Sequence, residues 1–355
     1  NKLTCVSRPR RFGKSYAAKM LCAYYDRSCD SHELFDDKNI ARSESYLTYL
    51  NHYNVIYLDI TSFVSAAGRQ EISFREVPNR IVDALRDELA SMYPELPVEK
   101  SLTDLLIYCV EKNGGEPFIF IIDEWDCVFR MARNRKEKQK EYLDFLRGLF
   151  KGSGYVDLAY MTGILPIKKY GEHSAINIFD EYSMLSPKNL GKFFGFTEEE
   201  VQEQCEEYGV EYSEIQKWYD GYRIGELHMY NPKSVIDALT WKEIQSYWIG
   251  TETYEALKVY IDLNFDGLKE IVTMMLGNMH CKVNTRKFQN DMTTFKTKDD
   301  VLTLLVHLGY LTFDRKKNEV FIPNQEITQE FMNAVEEPGW NGLAAALSRS
   351  EELLE

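Results

Sequence analysis

Two short stretches carry most of the residues that could do chemistry. The first is RPRRFGKS, residues 8–15, where Gly13, Lys14 and Ser15 stand in a row. In such a loop the glycine lets backbone N–H groups approach an anion, and the helix that follows adds the positive end of its dipole. The lysine reaches the β and γ phosphates of a nucleotide, and the serine hydroxyl binds Mg2+. The binding surface is then Pro9, Arg10, Arg11, Phe12, Gly13, Lys14, Ser15 and Tyr16. Five positions before Gly13, where a glycine is usual, stands Arg8. That position shapes the turn more than the contact, and Pro9 stiffens the turn in its place. Arg8, Arg10 and Arg11 also bring positive charge that would draw in a polyphosphate.

The second stretch is FIFIIDEWD, residues 118–126. An apolar run ending in Asp-Glu suits Mg2+-dependent nucleotide hydrolysis. Asp123 would hold the Mg2+ shell, and Glu124 would orient or deprotonate the attacking water. Thr162, at the end of AYMTG, is placed to hydrogen-bond a γ-phosphate or that water. Each motif has a plainer reading beside it. GKS recurs by chance in basic turns, two acids after a strand can cap the next helix, and a threonine can simply start a turn. Asp126 reads as such a helix cap.

Three further features are weighed the same way. RMARNRKEKQK, residues 130–140, has six basic residues and one acid; it reads as a solvated helix face before it reads as a nucleic-acid contact. WYDGYRIGELHMYNP, residues 218–232, is aromatic around an Asp220-Gly221 turn. It reads as a structural clamp, with Arg223 also able to point at a nucleotide. The six histidines show no metal-ligand spacing, and no Ser/His/Asp set stands out.

The elements that must position these residues follow from patterning. LTCVS (3–7) reads as a buried strand and YAAKMLCAYYD as a helix, so the GKS loop sits between strand and helix as it must. NVIYLDI (54–60), FIFIID and VDLAYMTGIL (156–165, ending at Thr162) read as further strands. Helices are expected over 73–93, over 101–113 with Ser101 and Asp104 as a variant capping box, and in EYLDFLRGLFKG. Strands alternating with helices imply a parallel α/β sheet, whose ligands sit at the carboxyl ends of its strands. After about 186 the texture turns polar and helical. Strands are scarce until GYLTFDRKKNEVFIPN, which with its flanking helices suggests a winged-helix-like unit.

Composition sets the outer limits. The chain has 355 residues, 44% hydrophobic and 28% charged, with net charge −14. It is long enough for two or three domains with a core, and its acidity argues against a chain-wide nucleic-acid surface. Seven cysteines without a close CxxC pair read as reduced thiols and so as a cytoplasmic protein. No apolar run approaches a membrane span and no signal peptide is visible. The chain opens straight into LTCVS, which leaves room for residues before it.

In SRPRRFGKS, VIYLDI, IIDEWD, YMTGIL, WYDGYRIG with YNPKSV, and GYLTFD with FIPNQEI, the chain resembles the bacterial AAA-ATPase-like family. That family is related to the STAND and archaeal ATPase groups and often carries a C-terminal PD-(D/E)xK nuclease domain. The resemblance spans nearly the whole chain, and arginine at the loop mouth is a family trait. It implies a P-loop ATPase domain over 1–185, a helical lid-like region over 186–270 and a winged-helix-like region over 271–355. ATP and Mg2+ are the implied cofactors. Lys14 and Ser15 would bind phosphate and Mg2+, Asp123 would support the metal, and Glu124 would be the hydrolytic carboxylate. Trp125 stands where the family usually has tyrosine. No Asp…Glu-x-Lys set with room to fold follows IPNQEI, so nuclease activity is not assigned here.

The expected function is Mg2+-dependent ATP binding with slow hydrolysis that moves the C-terminal half or a partner domain. An arginine finger would come from Arg10, Arg11, Arg223 or a neighbouring subunit. The alternatives are an ATP-stabilised scaffold without turnover and a winged-helix nucleic-acid-binding regulator. Expected partners are ATP and a downstream nuclease domain or other protein, with nucleic acid the weaker case and no membrane.

Overall fold

The computed structural model describes residues 2–69, 76–131, 136–167, 176–225, 227–248, 267–288, 295 and 297–335. They fall into two compact units. One is built on the residues up to Val6 with Lys14–Glu181, and the other on Ser7–Gly13 with the described residues from Tyr182 onward.

The N-terminal unit holds a five-stranded sheet in the order β2-β3-β4-β1-β5. Its strands are β1 (Leu3–Ser7), β2 (Val55–Asp59), β3 (Phe118–Asp123), β4 (Val156–Gly163) and β5 (Asp180–Tyr182). The pairs β2/β3 and β3/β4 are parallel, with Asp59 opposite Asp123 and Asp123 opposite Thr162. All of β3 is buried, as expected for a strand flanked on both sides by strands and covered on both faces. The two strands that end in candidate chemistry are therefore separated by β4, whose own carboxyl end carries Thr162.

Helices cover the sheet because their apolar residues recur at helical spacing. Val77–Met92 buries Val77, Ile81, Leu85 and Leu89, a stripe in which each side chain contributes about 1.5–3 kcal/mol on leaving water. Leu102–Lys112 is capped by Ser101, whose hydroxyl accepts the Asp104 N–H at 3.3 Å. The Asp104 carboxylate accepts from that same hydroxyl at 2.6 Å. This is the variant box expected from the sequence. β5 is an addition: three residues show no period, so nothing in the pattern announces it.

The C-terminal unit departs further from expectation. The stretch read as mainly helical also contains a three-stranded sheet, β6 (Phe196–Thr197), β7 (Tyr222–Ile224) and β8 (Leu227–Tyr230), in the order β6-β8-β7. Its strands are two to four residues long, too short for alternation to be legible. A second sheet has the order β10-β11-β9 and consists of β9 (Cys281–Lys282), β10 (Thr312–Asp314) and β11 (Glu319–Phe321). The helix Lys298–Leu308, β10, β11 and the helix Gln325–Val335 follow one another as the sequence suggested. The turn between the strands is held by the Asp314 carboxylate, which accepts N–H bonds from Lys316 and Lys317. The helices at Glu198 and Lys298 both begin with a full capping box, Thr197 with Glu200 and Thr297 with Asp300.

Candidate functional site

The site in the N-terminal unit is built from the ends of β3 and β4 and the start of the helix Lys14–Tyr25. Lys14 is the first residue of that helix and is buried. Its Nζ lies 4.0 Å from a Glu124 carboxylate oxygen. Burial holds its pKa below the ordinary lysine value, against the pull of Glu124 and Asp126. A buried ammonium in this state gains from a dianionic phosphate. Ser15 hydrogen-bonds the Asp123 side chain, and burial pushes the Asp123 carboxyl upward despite that bond. The Asp123 carboxylate also accepts the Glu124 N–H at 3.0 Å and a long contact from the Tyr57 hydroxyl at 3.5 Å.

Glu124 adopts φ +53, a left-handed conformation that non-glycine residues rarely take and that marks stored strain. Its carboxylate is ion-paired with Arg130 as well as with Lys14. Thr162 is fully buried, and its hydroxyl has no hydrogen-bond partner among the described residues. Its carbonyl accepts the Trp125 N–H at 3.0 Å, which ties β4 to the turn after β3. Lys14, Ser15, Asp123, Glu124 and Thr162 thus belong to one unit and come from the elements expected to carry them.

Asp126 differs from its expected role. Its carboxylate accepts the N–H groups of Ile164 at 3.2 Å and Leu165 at 2.8 Å, and Arg130 lies 3.4 Å away. It fastens the chain leaving β4 and does not cap the helix Cys127–Met131. Gly163 makes this closeness feasible: a Cβ there would sit 2.5 Å from an Asp126 oxygen and 2.8 Å from Trp125. Arg130 opens the basic run read as a solvated face, yet its side chain is nearly buried between two carboxylates. Asp126 directly precedes the helix Cys127–Met131 and Arg130 stands four residues on, a spacing that signals the pair. Residues 132–135 of the same run lie outside the described residues, and Lys136 and Lys140 are exposed.

The loop Ser7–Gly13 is described with the C-terminal unit. Arg11 has φ +68 and Gly13 φ +82, the alternating handedness that turns successive N–H groups inward. Nothing lies within 4 Å of where a Gly13 Cβ would be, so it is the positive φ and not crowding that favours glycine there. The side chains point elsewhere. Arg8 is fully buried, donates to the Ser7 and Tyr182 carbonyls at 2.9 and 3.0 Å, and lies over the Phe194 ring. It is a structural bracket and adds no solvent-facing charge for a polyphosphate. Phe12 packs edge-on against Tyr222, Pro9 is buried, and Arg11 donates to the Tyr247 carbonyl. Arg10 is half-buried and Tyr16 is 79% exposed. Arg223 pairs with Asp314 at 3.1 Å.

The residues present suit Mg2+ and a nucleotide together. Among the described residues no cluster of three or more His, Cys, Asp or Glu could cage a metal. A serine hydroxyl beside one carboxylate is the sparse oxygen set that Mg2+ uses when phosphate and water complete its shell.

A parallel sheet with a helix-borne Lys-Ser pair and an Asp-Glu strand end is a setting in which nucleotide phosphates can be held. Residues 1–171 match the family model described as predicted AAA-ATPase, the family that the sequence resembles. One curated relative, described as "Uncharacterized protein in vnfD 5'region", comes from Azotobacter chroococcum mcd 1. It is 29% identical over 154 residues, which is 42% of this chain, and the match spans only 30% of that relative's length. Among solved structures, the Walker-type ATPase PABY2304 of Pyrococcus abyssi is 15% identical with a TM-score of 0.41, over 93% of this chain and 91% of that one. The family match and the site geometry support nucleotide binding. None of the seven cysteines is joined in a disulfide, and no described helix is long and apolar enough to cross a membrane.

Proposed function

We propose that the chain binds ATP with Mg2+ at residues 9–16 and hydrolyses it slowly, coupling nucleotide state to its C-terminal half or to a partner domain. The observation that carries this is the convergence of Lys14, Ser15, Asp123 and Glu124 within one unit. Backbone N–H groups of the loop and Lys14 bind the phosphates. Ser15 and Asp123 would hold Mg2+, which would supply charge neutralisation at the phosphates. Thr162 offers its unpartnered hydroxyl to the γ-phosphate or to water. Glu124 orients the water once phosphate has drawn Lys14 from it. Arg11 and Arg223 hold protein acceptors that a finger role would have to release, and the finger comes from Arg10, Arg11, Arg223 or a neighbouring subunit. The division into 1–185, 186–270 and a winged-helix-like 271–355 belongs to this reading, as does a downstream nuclease domain as the controlled partner.

A second reading, ATP binding without turnover, is favoured by the double engagement of Glu124 with Arg130 and Lys14. Phosphate release from ATP over hours separates the two. Release that requires Mg2+ and falls about 100-fold or more in Glu124→Gln, with ATP still bound, supports hydrolysis. Equal release from wild type and Glu124→Gln contradicts the assigned role.

A further inference from the structure

The WYDGY turn has no part in the phosphate chemistry, yet it is built more stiffly than a surface turn requires. Gly221 sits at φ +112, and a Cβ there would overlap the Pro323 carbonyl. The Asp220 carboxylate accepts the Gly221 N–H at 2.6 Å, and the Tyr219 hydroxyl donates to the Gln245 carbonyl at 2.8 Å. Tyr222 follows directly. It is fully buried, and its hydroxyl donates to the Gly309 carbonyl at 3.1 Å.

What Tyr222 and Gly309 touch is the phosphate loop. The Phe12 and Tyr222 rings meet edge to face, 5.1 Å apart at 87°. At Gly309, a Cβ would come within 2.8 Å of the Pro9 Cβ. Gly195 closes the other side, where a Cβ would sit 3.2 Å from the Phe12 ring. Arg8 and Arg11 reach the carbonyls of Tyr182 and Tyr247. Four of the loop's side chains are therefore anchored in the C-terminal unit, while its backbone is left to present N–H groups. Arg11 holds a left-handed φ of +68, which a non-glycine residue keeps only when its surroundings impose it. A free loop would lose conformational entropy at each binding event, and a loop already held has lost it beforehand.

We propose that Tyr222 is a positioning residue for nucleotide binding, acting through Phe12 to keep the loop Ser7–Gly13 in its phosphate-binding shape. This rests on the nucleotide reading of the loop. It assigns the WYDGY turn a role as the seat of the phosphate loop, and by linkage nucleotide binding must bear on that seat in return.

The test is calorimetric titration of ATP with Mg2+ into Tyr222→Leu, Phe12→Leu and the double variant, beside thermal unfolding of each nucleotide-free protein. We expect each single change to weaken ATP binding by about tenfold or more. The double variant should be no weaker than the worse single, because the two residues act as one contact. Tyr222→Phe keeps the ring edge and loses only the hydroxyl, so its affinity should stay within a few-fold of wild type. Should Tyr222→Leu fail to fold, Phe12→Leu and Tyr222→Phe decide the matter. A lower unfolding temperature with unchanged ATP affinity in the Leu variants would mark a purely structural contact and overturn the proposal. So would losses that multiply in the double variant. If those variants bind normally while Lys14→Ala does not, the positioning role fails and the nucleotide reading stands. If Lys14→Ala binds normally, the nucleotide reading itself has failed.

Discussion

Asp123 and Glu326 are both buried carboxylates, one in each unit, and burial pushes both upward in pKa. Their surroundings differ. Glu326 sits on the regular helix Gln325–Val335 and is well satisfied, accepting the Ser234 hydroxyl at 3.0 Å and the Tyr247 N–H at 2.8 Å. Its neighbour Glu330 accepts the Ser246 hydroxyl at 2.8 Å. Asp123 has the Ser15 hydroxyl, one N–H from a strained Glu124 and a contact from Tyr57 stretched to 3.5 Å. Beside it stand a buried lysine and a threonine hydroxyl without a partner among the described residues. A buried carboxylate on a regular helix, met by a hydroxyl and an N–H at normal distances, reads as structural. One held loosely among strain and unspent polar atoms is prepared for a ligand.

The sharpest way to break this contrast is Gly221→Ala. The C-terminal unit has no room for the Cβ, and φ is positive, so a loss of more than about 4 kcal/mol is expected in chemical denaturation. An effect under about 1 kcal/mol would show that the aromatic turn is looser than described. Next comes Glu326→Gln followed against pH. The Glu326 carboxyl is raised from the ordinary 4.5 to about 7. A folded-state pKa above the unfolded one gives stability that is present below pH 4.5 and lost as pH rises toward 7. The wild type should therefore fall relative to the variant over that window, by on the order of 3 kcal/mol. His307, whose pKa is lowered to about 3 by burial, runs the other way and is common to both proteins, so it cancels. A flat difference would mean that Glu326 is ionised at no cost.

Gly163→Ala probes the N-terminal unit. The new Cβ would press on Asp126 and Trp125, and a cost of about 1–3 kcal/mol is expected. ATP binding should suffer as well, because Asp126 anchors the chain after β4. The smallest effect on stability belongs to Thr162→Val. Removing a buried hydroxyl without a partner among the described residues should change unfolding by no more than about 0.5 kcal/mol in either direction, while ATP turnover falls. A clear loss of stability with turnover intact would make Thr162 structural.

Much of the N-terminal unit was legible in the residues. β3 is a continuous apolar run, β1 and β4 are mainly apolar stretches beside it, and Ser101 announces its helix by capping chemistry. Lys14, Ser15, Asp123 and Glu124 fall at strand ends and helix starts whose positions local pattern alone predicts. What escaped reading depends on distant partners. Arg8 looks like a charge offered to phosphate until Tyr182 and Phe194 bury it, and those residues lie far along the chain. Asp126 looks like a cap until Ile164 and Leu165 turn their N–H groups toward it. The sheet of β6, β7 and β8 has strands too short for a period, and Gly221 gives no hint of Pro323. Short strands and long-range side-chain partners leave no local signature.

The central claim is that the loop and Lys14 bind ATP with Mg2+. Calorimetric titration of ATP into wild type and Lys14→Ala tests it most directly. Saturable, Mg2+-dependent binding by wild type that is weakened at least about 100-fold in Lys14→Ala, roughly 2.7 kcal/mol, is the expected result. Equal affinity in the two proteins, or no binding to the wild type, would contradict the account.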